Sequence, residues 1–335
     1  MTDYIYGSVC RITNLNSQKF TVNKISKNHW ETGNFVLGTV SRRPSHKARI
    51  EAPSGRTVEP LKGDKIIGAL GTRKATRGIV GDWRSIDPES GIMNIIGGGG
   101  IIGKVTSLSP YLHEPIELKY DGHIVQNDDP VSMSDFVGYE PSDPIDHPII
   151  LVLGTSMSSG KTMSARVIIQ ALRQLGHQPF ASKLSGSGRY HDILSMKDAG
   201  ADRVFDFVDA GLPTTVVPRK LYKKRIEALL QHIQSFSPDV TVVEIGASPL
   251  EPYNGDLAIE LLKESVIYSV LTASDPYSVI GLTDAFEIEI DLVTGIATNT
   301  KAGIDLIKQL TGLTAVNLQN ENEKTKVKQE LENRL

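Results

Sequence analysis

The sequence predicts an α/β fold, a mostly parallel sheet built around a phosphate-binding loop, preceded by a small β-rich barrel or sandwich. Three observations predict it. From Ile149 onward, apolar runs alternate with helix-like segments, the grammar of a parallel sheet with right-handed crossovers. "LVLGTSMSSGKTMSARVIIQAL" (151–172) reads as strand, small-residue loop and helix in that order. Before residue 146, short β-like runs are broken by glycine and proline, with no strong amphipathic helix.

The 335 residues suffice for two domains, and 39% hydrophobic with 22% charged residues is ordinary for a soluble globular protein. The formal net charge of -3 supplies no global field toward nucleic acid or an anionic membrane, so neither is an expected partner. Arg42-Arg43 and Lys223-Lys224-Arg225 read as solvated basic faces. A single cysteine, Cys10, excludes an internal disulfide and a cysteine-rich zinc site, and fits a reducing, cytoplasmic setting. "MTDYIYGSVCRITN" is not a secretory signal, and no stretch reaches about 18 consecutive apolar residues.

Residues 1–146 are expected to form the β-rich domain and its linker. "NFVLGTVSR", "RIEAPSGRTVEPL", "KIIGALGT", "IIGKVTS" and "PIELKYDGHIV" read as strands, with turns at "APSGR" and "YDGH". "GGGG" (97–100) lacks a lysine and a following helix, so it reads as a turn or tight strand crossing. Arg73, Lys74, Arg77 and Trp83 are too few for a nucleic-acid surface; a small barrel that packs on the second domain and completes its substrate pocket is the expectation.

"DFVGYEPSDPIDHP", with prolines at 141, 144 and 148, reads as the linker. The second domain is expected over 147–320 and a polar tail or helix over 321–335. Its strands are "IILVLG", "PFASKL", "DVTVVEIG", "SVIYSVLTA", "IDLVTGIAT" and "TAVNL", continuously apolar as strands covered on both faces should be. Its helices are "TMSARVIIQALRQLG", "KKRIEALLQHIQSF", "DLAIELLKES" and "AGIDLIKQLTG". In the first, Met163, Val167, Ile168, Ala171 and Leu172 form one face.

The loop itself is Gly154, Thr155, Ser156, Met157, Ser158, Ser159, Gly160, Lys161, Thr162. Amide groups at the helix start bind anions, the lysine reaches β- and γ-phosphates, and the threonine hydroxyl can hold Mg²⁺. Ser156, Ser158 and Ser159 let the backbone approach closely. Five residues separate Gly154 from Gly160, one more than in the common motif. Glu244 ends the apolar strand "DVTVVEIG", where such enzymes hold the metal or its water, and Glu251 follows on the next turn.

The Gly-Thr opening with five residues before Gly-Lys-Thr resembles the loop of dethiobiotin synthetase and its relatives. Those relatives include a P-loop NTPase-fold family containing a D-glutamate N-acetyltransferase, and the cobyrinic acid amidases. The resemblance covers residues 149 to 318. "GASPLEP" resembles the turn after the equivalent glutamate. It implies a homodimer, a substrate- and phosphate-contacting role for Lys183, and an adenine-reading role for Asn299. The branch often carries aspartate where this chain has Ser156. The signature lysine of the dimeric MinD-like ATPases would fall at the same position, which disfavours that subgroup. "GTSMSSGKT", "VVEIG" and "DAGADRVFDFVDAGLPTT" also resemble a group of P-loop proteins without a secure reaction.

Around these lie Arg189 and Asp192 after the second strand, then Asp198, Asp206 and Asp209, which suit an amine, a metal or helix capping equally. Asp275 and Tyr277 follow a later strand, at the edge where open α/β sheets bind ligands. His147 and His191 form no metal pair, and no Gly-x-Ser-x-Gly elbow supports a hydrolase. No Asn-Lys-x-Asp guanine signature occurs, which favours ATP over GTP. The expected function is Mg²⁺- and ATP-dependent activation of a small molecule by phosphoryl transfer. Lys161, Lys183 and Glu244 would be catalytic, and Thr162 and Glu244 would hold the metal. An acetyl-CoA-dependent N-acetyltransferase and a nucleotide-gated binding module are the alternatives.

Overall fold

The computed structural model describes residues 4–42, 45, 47–139, 145–286 and 288–335. Arg43 and the linker prolines at 141 and 144 lie outside the described residues. The chain divides into two compact units. The first comprises Met1–Tyr139, Ser187–His191 and Phe207–Pro218; the second comprises Glu140–Gly186, Asp192–Asp206 and Arg219–Leu335. A division in simple sequence order near residue 146 does not anticipate the two short segments that join the first unit.

The first unit is built mainly of β-strands. Its strands are β1 (Tyr4–Tyr6), β2 (Thr21–Asn23), β3 (Phe35–Val40), β4 (Ile50–Glu51), β5 (Thr57–Val58) and β6 (Lys65–Leu70). Then come β7 (Thr72–Lys74), β8 (Ile79–Asp82), β9 (Ile92–Gly97), β10 (Ile101–Leu108), β11 (Glu117–Gln126) and β12 (Asp129–Pro130). Pairing runs β6-β3-β11-β9-β10 and returns from β10 to β6, so these strands close on themselves. Closure removes exposed sheet edges. The interior holds Trp30, Val36, Ile66, Leu70, Met93, Ile102, Leu118 and Tyr120.

"GGGG" is the turn between β9 and β10. A Cβ on Gly100 would lie 2.8 Å from the Cα of Gly7, so the crossing requires glycine there. "YDGH" is no turn. It lies within β11, where the register against β3 shifts between Tyr120 and Gly122. Asp-Gly is accommodated as a bulge, with the Asp121 carboxylate accepting from Thr39 Oγ1 at 2.7 Å.

The second unit is a six-stranded sheet, parallel throughout, in the order β15-β14-β16-β13-β17-β18. Its elements run β13 (Ile149–Gly154), α1 (Lys161–Gln174), β14 (Phe180–Ser185), α2 (Tyr190–Asp198), β15 (Val204–Asp206) and α3 (Arg219–Gln234). They continue with β16 (Thr241–Ile245), α4 (Gly255–Leu262), β17 (Val266–Thr272), α5 (Pro276–Ala285), β18 (Leu292–Thr294), α6 (Lys301–Thr311) and α7 (Glu321–Glu332). The first residues of α2 are counted with the first unit.

β13 is buried at every position, as a central strand covered on both faces must be. Val167, Ile168, Ala171 and Leu172 of α1 join Ile150, Val152, Val242 and Val270 in one core. Met163 does not, being 46% exposed, because the first turn of α1 borders a cavity rather than the core. "TAVNL" forms only a bridge from Ala315 to Val293, and an Asn317 side-chain turn to the amide of Gln319 ends it. The polar C-terminal segment is a packed helix. Asn320 caps α7, and Val327 and Leu331 enter the core. Among the described residues no helix is long and apolar enough to cross a membrane.

Candidate functional site

The loop from Gly154 to Thr162 lies at the C-terminal end of β13, between the neighbouring strands β16 and β17. Its shape is fixed by contacts on both sides. Ser159 Oγ bonds Thr272 Oγ1 at 2.7 Å, and the amide of Thr155 donates to the Thr272 carbonyl. Thr155 Oγ1 accepts from the Ser274 amide and the Ser278 hydroxyl, tying the loop to the start of α5. A Cβ on Gly154 would stand 2.5 Å from Ser159 Oγ and 2.7 Å from Thr272 Oγ1, so only glycine lets these hydroxyls pair. Gly160 caps α1 with φ 114°, leaving the amides of the first turn directed out of the helix end. This is the geometry of an anion cradle.

Lys161 is buried, and its Nζ donates to the Ser156 carbonyl at 2.8 Å. Burial pushes its ammonium down to about 8; Glu244 opposes that and Lys183 adds to it. Next along the helix, Thr162 Oγ1 donates to Glu244 Oε2 at 2.8 Å. Glu244 Oε1 lies 3.2 Å from Lys183 Nζ, and Lys183 Nζ lies 2.5 Å from Asp192 Oδ2. Residues from α1, β16, β14 and α2 thus form one chain of hydrogen bonds and ion pairs. Burial alone would lower the Lys183 ammonium; Asp192 first, and then Glu244, more than reverse this and hold it above the usual lysine value.

Strand register explains part of the arrangement. Lys183 is the direct partner of Glu244 across β14 and β16, and Glu244 the partner of Val152 across β16 and β13. In-register neighbours on parallel strands project from the same face. Past β16 the backbone turns sharply: Ala247 has φ 57° and Asn254 φ 57°. Gly246 sits so close to β14 that a Cβ would lie 2.0 Å from the Ser185 carbonyl. The turn brings Glu251 into a buried position, close enough to act on the charge of Lys161.

Asn299 lines a cavity of about 140 Å³ together with Gly160, Met163, Gly295, Asn317, Leu318 and Gln319. The cavity opens beside the first turn of α1. Asn317 was hidden in the sequence by the strand-like look of "TAVNL". Asn299 itself closes a short 3-10 turn, Ile296–Thr298.

Of the remaining candidates, Asp275, Tyr277, Asp198, Asp209, Arg189 and His147 do not join this chain. Asp275 caps α5 by accepting from the Ser278 amide, and Tyr277 is exposed. Asp198 is exposed at the end of α2, and Asp209 pairs with Arg11 at 2.9 Å in the first unit. Asp206 is buried on β15 as the register partner of Lys183. Arg189 is exposed. His147 is held by Gln234 and Thr241 Oγ1 and has a packing role. Asp192 joins the chain at 2.5 Å from Lys183 through α2, a helix that no periodic pattern marks in the sequence. Among the described residues no group of three or more His, Cys, Asp or Glu side chains could hold a metal alone.

No family model matches the chain, and no curated protein matches it. Solved structures give partial overlays. The signal recognition particle receptor FtsY from Elizabethkingia anophelis aligns at 14% identity over 52% of this chain and 59% of its own, with a TM-score of 0.38. A ParA family ATPase from Chlorobium tepidum TLS aligns at 16% identity over 55% of this chain and 90% of its own, with a TM-score of 0.33. Signal Recognition Particle 54 kDa protein from Aeropyrum pernix K1, in complex with GDP, aligns at 19% identity over 55% of this chain and 46% of its own, with a TM-score of 0.34. The matches therefore span less than two thirds of the FtsY and 54 kDa chains. Overlays this partial carry no conclusion about activity, which rests on the chain's own residues.

Proposed function

We propose that the second unit is a P-loop NTPase domain, and that the protein binds Mg-ATP to activate a small-molecule substrate, by phosphoryl transfer to a carboxylate or similar acceptor. One observation carries this reading. Thr162, Glu244, Lys183 and Asp192 form a continuous polar chain at the C-terminal edge of a parallel sheet, beside an anion cradle whose buried Lys161 donates to the Ser156 carbonyl.

The donor set fits a magnesium-nucleotide. The Thr162 hydroxyl and Glu244 carboxylate are hard oxygen donors, and phosphate oxygens and water would complete the shell. When bound, the metal neutralises charge on the phosphoryl oxygens. Lys161 exchanges the Ser156 carbonyl for phosphate oxygens, a stronger, charge-assisted partner. Lys183 orients the acceptor. An acceptor oxygen forms a bond to the γ-phosphorus, the bond to the β–γ bridging oxygen breaks, and ADP leaves with that electron pair. Such transfer depends mainly on positioning and charge stabilisation, which these residues supply. The Asn299 amide, one donor and one acceptor, suits the adenine edge.

A second reading follows from Ser156. A neutral residue there leaves the cradle without the carboxylate that the resembled branch often carries, and suits a metal-free diphosphate such as that of acetyl-CoA. A ligand of the native state raises the melting temperature by mass action. Mg-ATP is expected to do so and acetyl-CoA not, and Lys161→Ala is expected to weaken Mg-ATP binding at least tenfold. A shift by acetyl-CoA alone would select the second reading. No shift by either, with Lys161→Ala indistinguishable from wild type, would refute both. Substrate-independent hydrolysis with nucleotide-dependent partner capture would instead mark a gated binding module. A homodimer, implied by the resemblance, is read by light scattering.

A further inference from the structure

We propose that Asp192 is a positioning residue of this site, holding the Lys183 ammonium toward the phosphate loop when Glu244 turns to the metal. The inference rests on the reading above and extends it.

Glu244 has two claims on it. One oxygen accepts from Thr162 at 2.8 Å, and the other faces Lys183 at 3.2 Å. A divalent cation taken up by Thr162 and Glu244 would weaken the second claim, since one carboxylate cannot fully serve a dication and an ammonium. A lysine held by Glu244 alone would then swing free on its four-carbon stem. Asp192 removes that freedom. Its Oδ2 is 2.5 Å from Lys183 Nζ, closer than Glu244, and it comes from α2 rather than from the metal-bearing strand.

Lys161 and Lys183 bring two positive charges into this buried place, and Glu244, Asp192 and Glu251 bring the carboxylates that face them. Buried charges persist only when paired. Lys183 is 12% exposed and Glu244 2%, so removal of one carboxylate leaves an ammonium short of compensation in a poorly hydrated place. An acid in the first turn of a helix is usual for its effect on the helix end alone. Here the carboxylate spends an oxygen on a lysine of the neighbouring strand, which a purely capping acid does not do. The chain reaches this geometry through Gly186, whose φ of 128° turns it away from β14.

The test measures Lys183 directly, without nucleotide. Trace acetylation by acetic anhydride across a pH series, followed by mass spectrometry, reports the fraction of each lysine that is uncharged. In wild type Lys183 is expected to be the slowest-labelled lysine near the loop. Asp192→Asn is expected to label at Lys183 at least tenfold faster at pH 9, and Asp192→Glu to restore slow labelling. Glu244→Gln should leave Lys183 slow, since Asp192 still holds it. Should Asp192→Asn fold poorly, Asp192→Ser and the Glu244→Gln arm carry the test. An unchanged Lys183 profile in Asp192→Asn or Asp192→Ser, or release of Lys183 by Glu244→Gln alone, would overturn the proposal. Failure of wild type to bind Mg-ATP would overturn the enzymatic reading while the labelling result still decides the role of Asp192 on Lys183.

Discussion

Lys183 of β14 and Glu244 of β16 are register partners on adjacent parallel strands, and their side chains meet at 3.2 Å. The ion pair is therefore set by backbone pairing rather than by loop conformation. A one-residue slip of either strand would turn one of them to the opposite face. Sites carried on strands in this way are held more exactly than sites on loops.

Breaking that pair should cost both function and stability. Glu244→Gln is expected to lower nucleotide turnover at least a hundredfold while leaving the fold intact. Glu244→Leu removes the buried partner outright and is expected to destabilise the protein by about 3 kcal/mol. Urea unfolding followed by circular dichroism measures the second effect.

Lys161 should oppose stability while serving function. Its ordinary value of 10.5 falls to about 8 in the folded protein, burial being the main cause. Between those two values the unfolded chain holds a proton that the folded chain lacks, so this contribution to stability rises with pH across that window. Below pH 8 the burial penalty is fully present. Lys161→Met should therefore melt higher than wild type at pH 7, with the difference shrinking toward pH 10. Mg-ATP affinity of wild type should fall as pH rises through about 8. A Lys161→Met protein that melts lower than wild type at pH 7 would contradict this.

His123 should make the first unit acid-sensitive. It is fully buried, its Nδ1 is 2.6 Å from the Tyr120 hydroxyl, and its Nε2 has no hydrogen-bond partner among the described residues. Burial lowers it from 6.5 to about 4. The unfolded chain thus takes up a proton in this window that the folded one refuses, and stability falls as pH drops from 6.5 toward 4. His123→Leu should show a flatter dependence than wild type there; equal slopes in differential scanning calorimetry would refute the assignment.

The C-terminal helix should be integral to the second unit. Leu331 is fully buried in the core, the Tyr268 hydroxyl donates to Glu330 at 2.6 Å, and Arg334 pairs with Asp291 at 2.7 Å. Leu331→Ala is expected to cost about 2–5 kcal/mol. Arg334→Ala, an exposed pair, is expected to cost under about 1 kcal/mol. Chemical denaturation of both variants separates the two.

The parts of this chain legible in the sequence were those where one local rule decides. Continuous apolar runs marked β13, β16 and β17 because strands covered on both faces need them. The loop from Gly154 to Thr162 was legible because its chemistry is contiguous. Asp275-Pro276, a cap followed by proline, marks the start of α5. The pairing of Asp192 with Lys183 was obscure because it depends on a fold-back after β14 that no periodicity encodes. Met163 misled because helical spacing does not say whether a face borders core or cavity. Asp-Gly at 121–122 misled because a bulge and a turn share the same residues.

The segments Ser187–His191 and Phe207–Pro218 have a consequence for how the chain is made and cut. The buried Glu51 carboxylate accepts the Ser8 hydroxyl at 2.5 Å and the amides of Tyr190 and His191 at 2.6 and 2.8 Å. Arg11 meets Asp209 and stacks over Tyr190, and Ser187 bridges to Thr214. A fragment ending at residue 139 would carry Glu51 as a buried anion with most of its donors missing. On the ribosome, the first unit cannot finish until residue 218 has emerged, well after its last own strand. Expression of residues 1–139 alone should therefore yield insoluble or protease-sensitive material, which limited proteolysis checks.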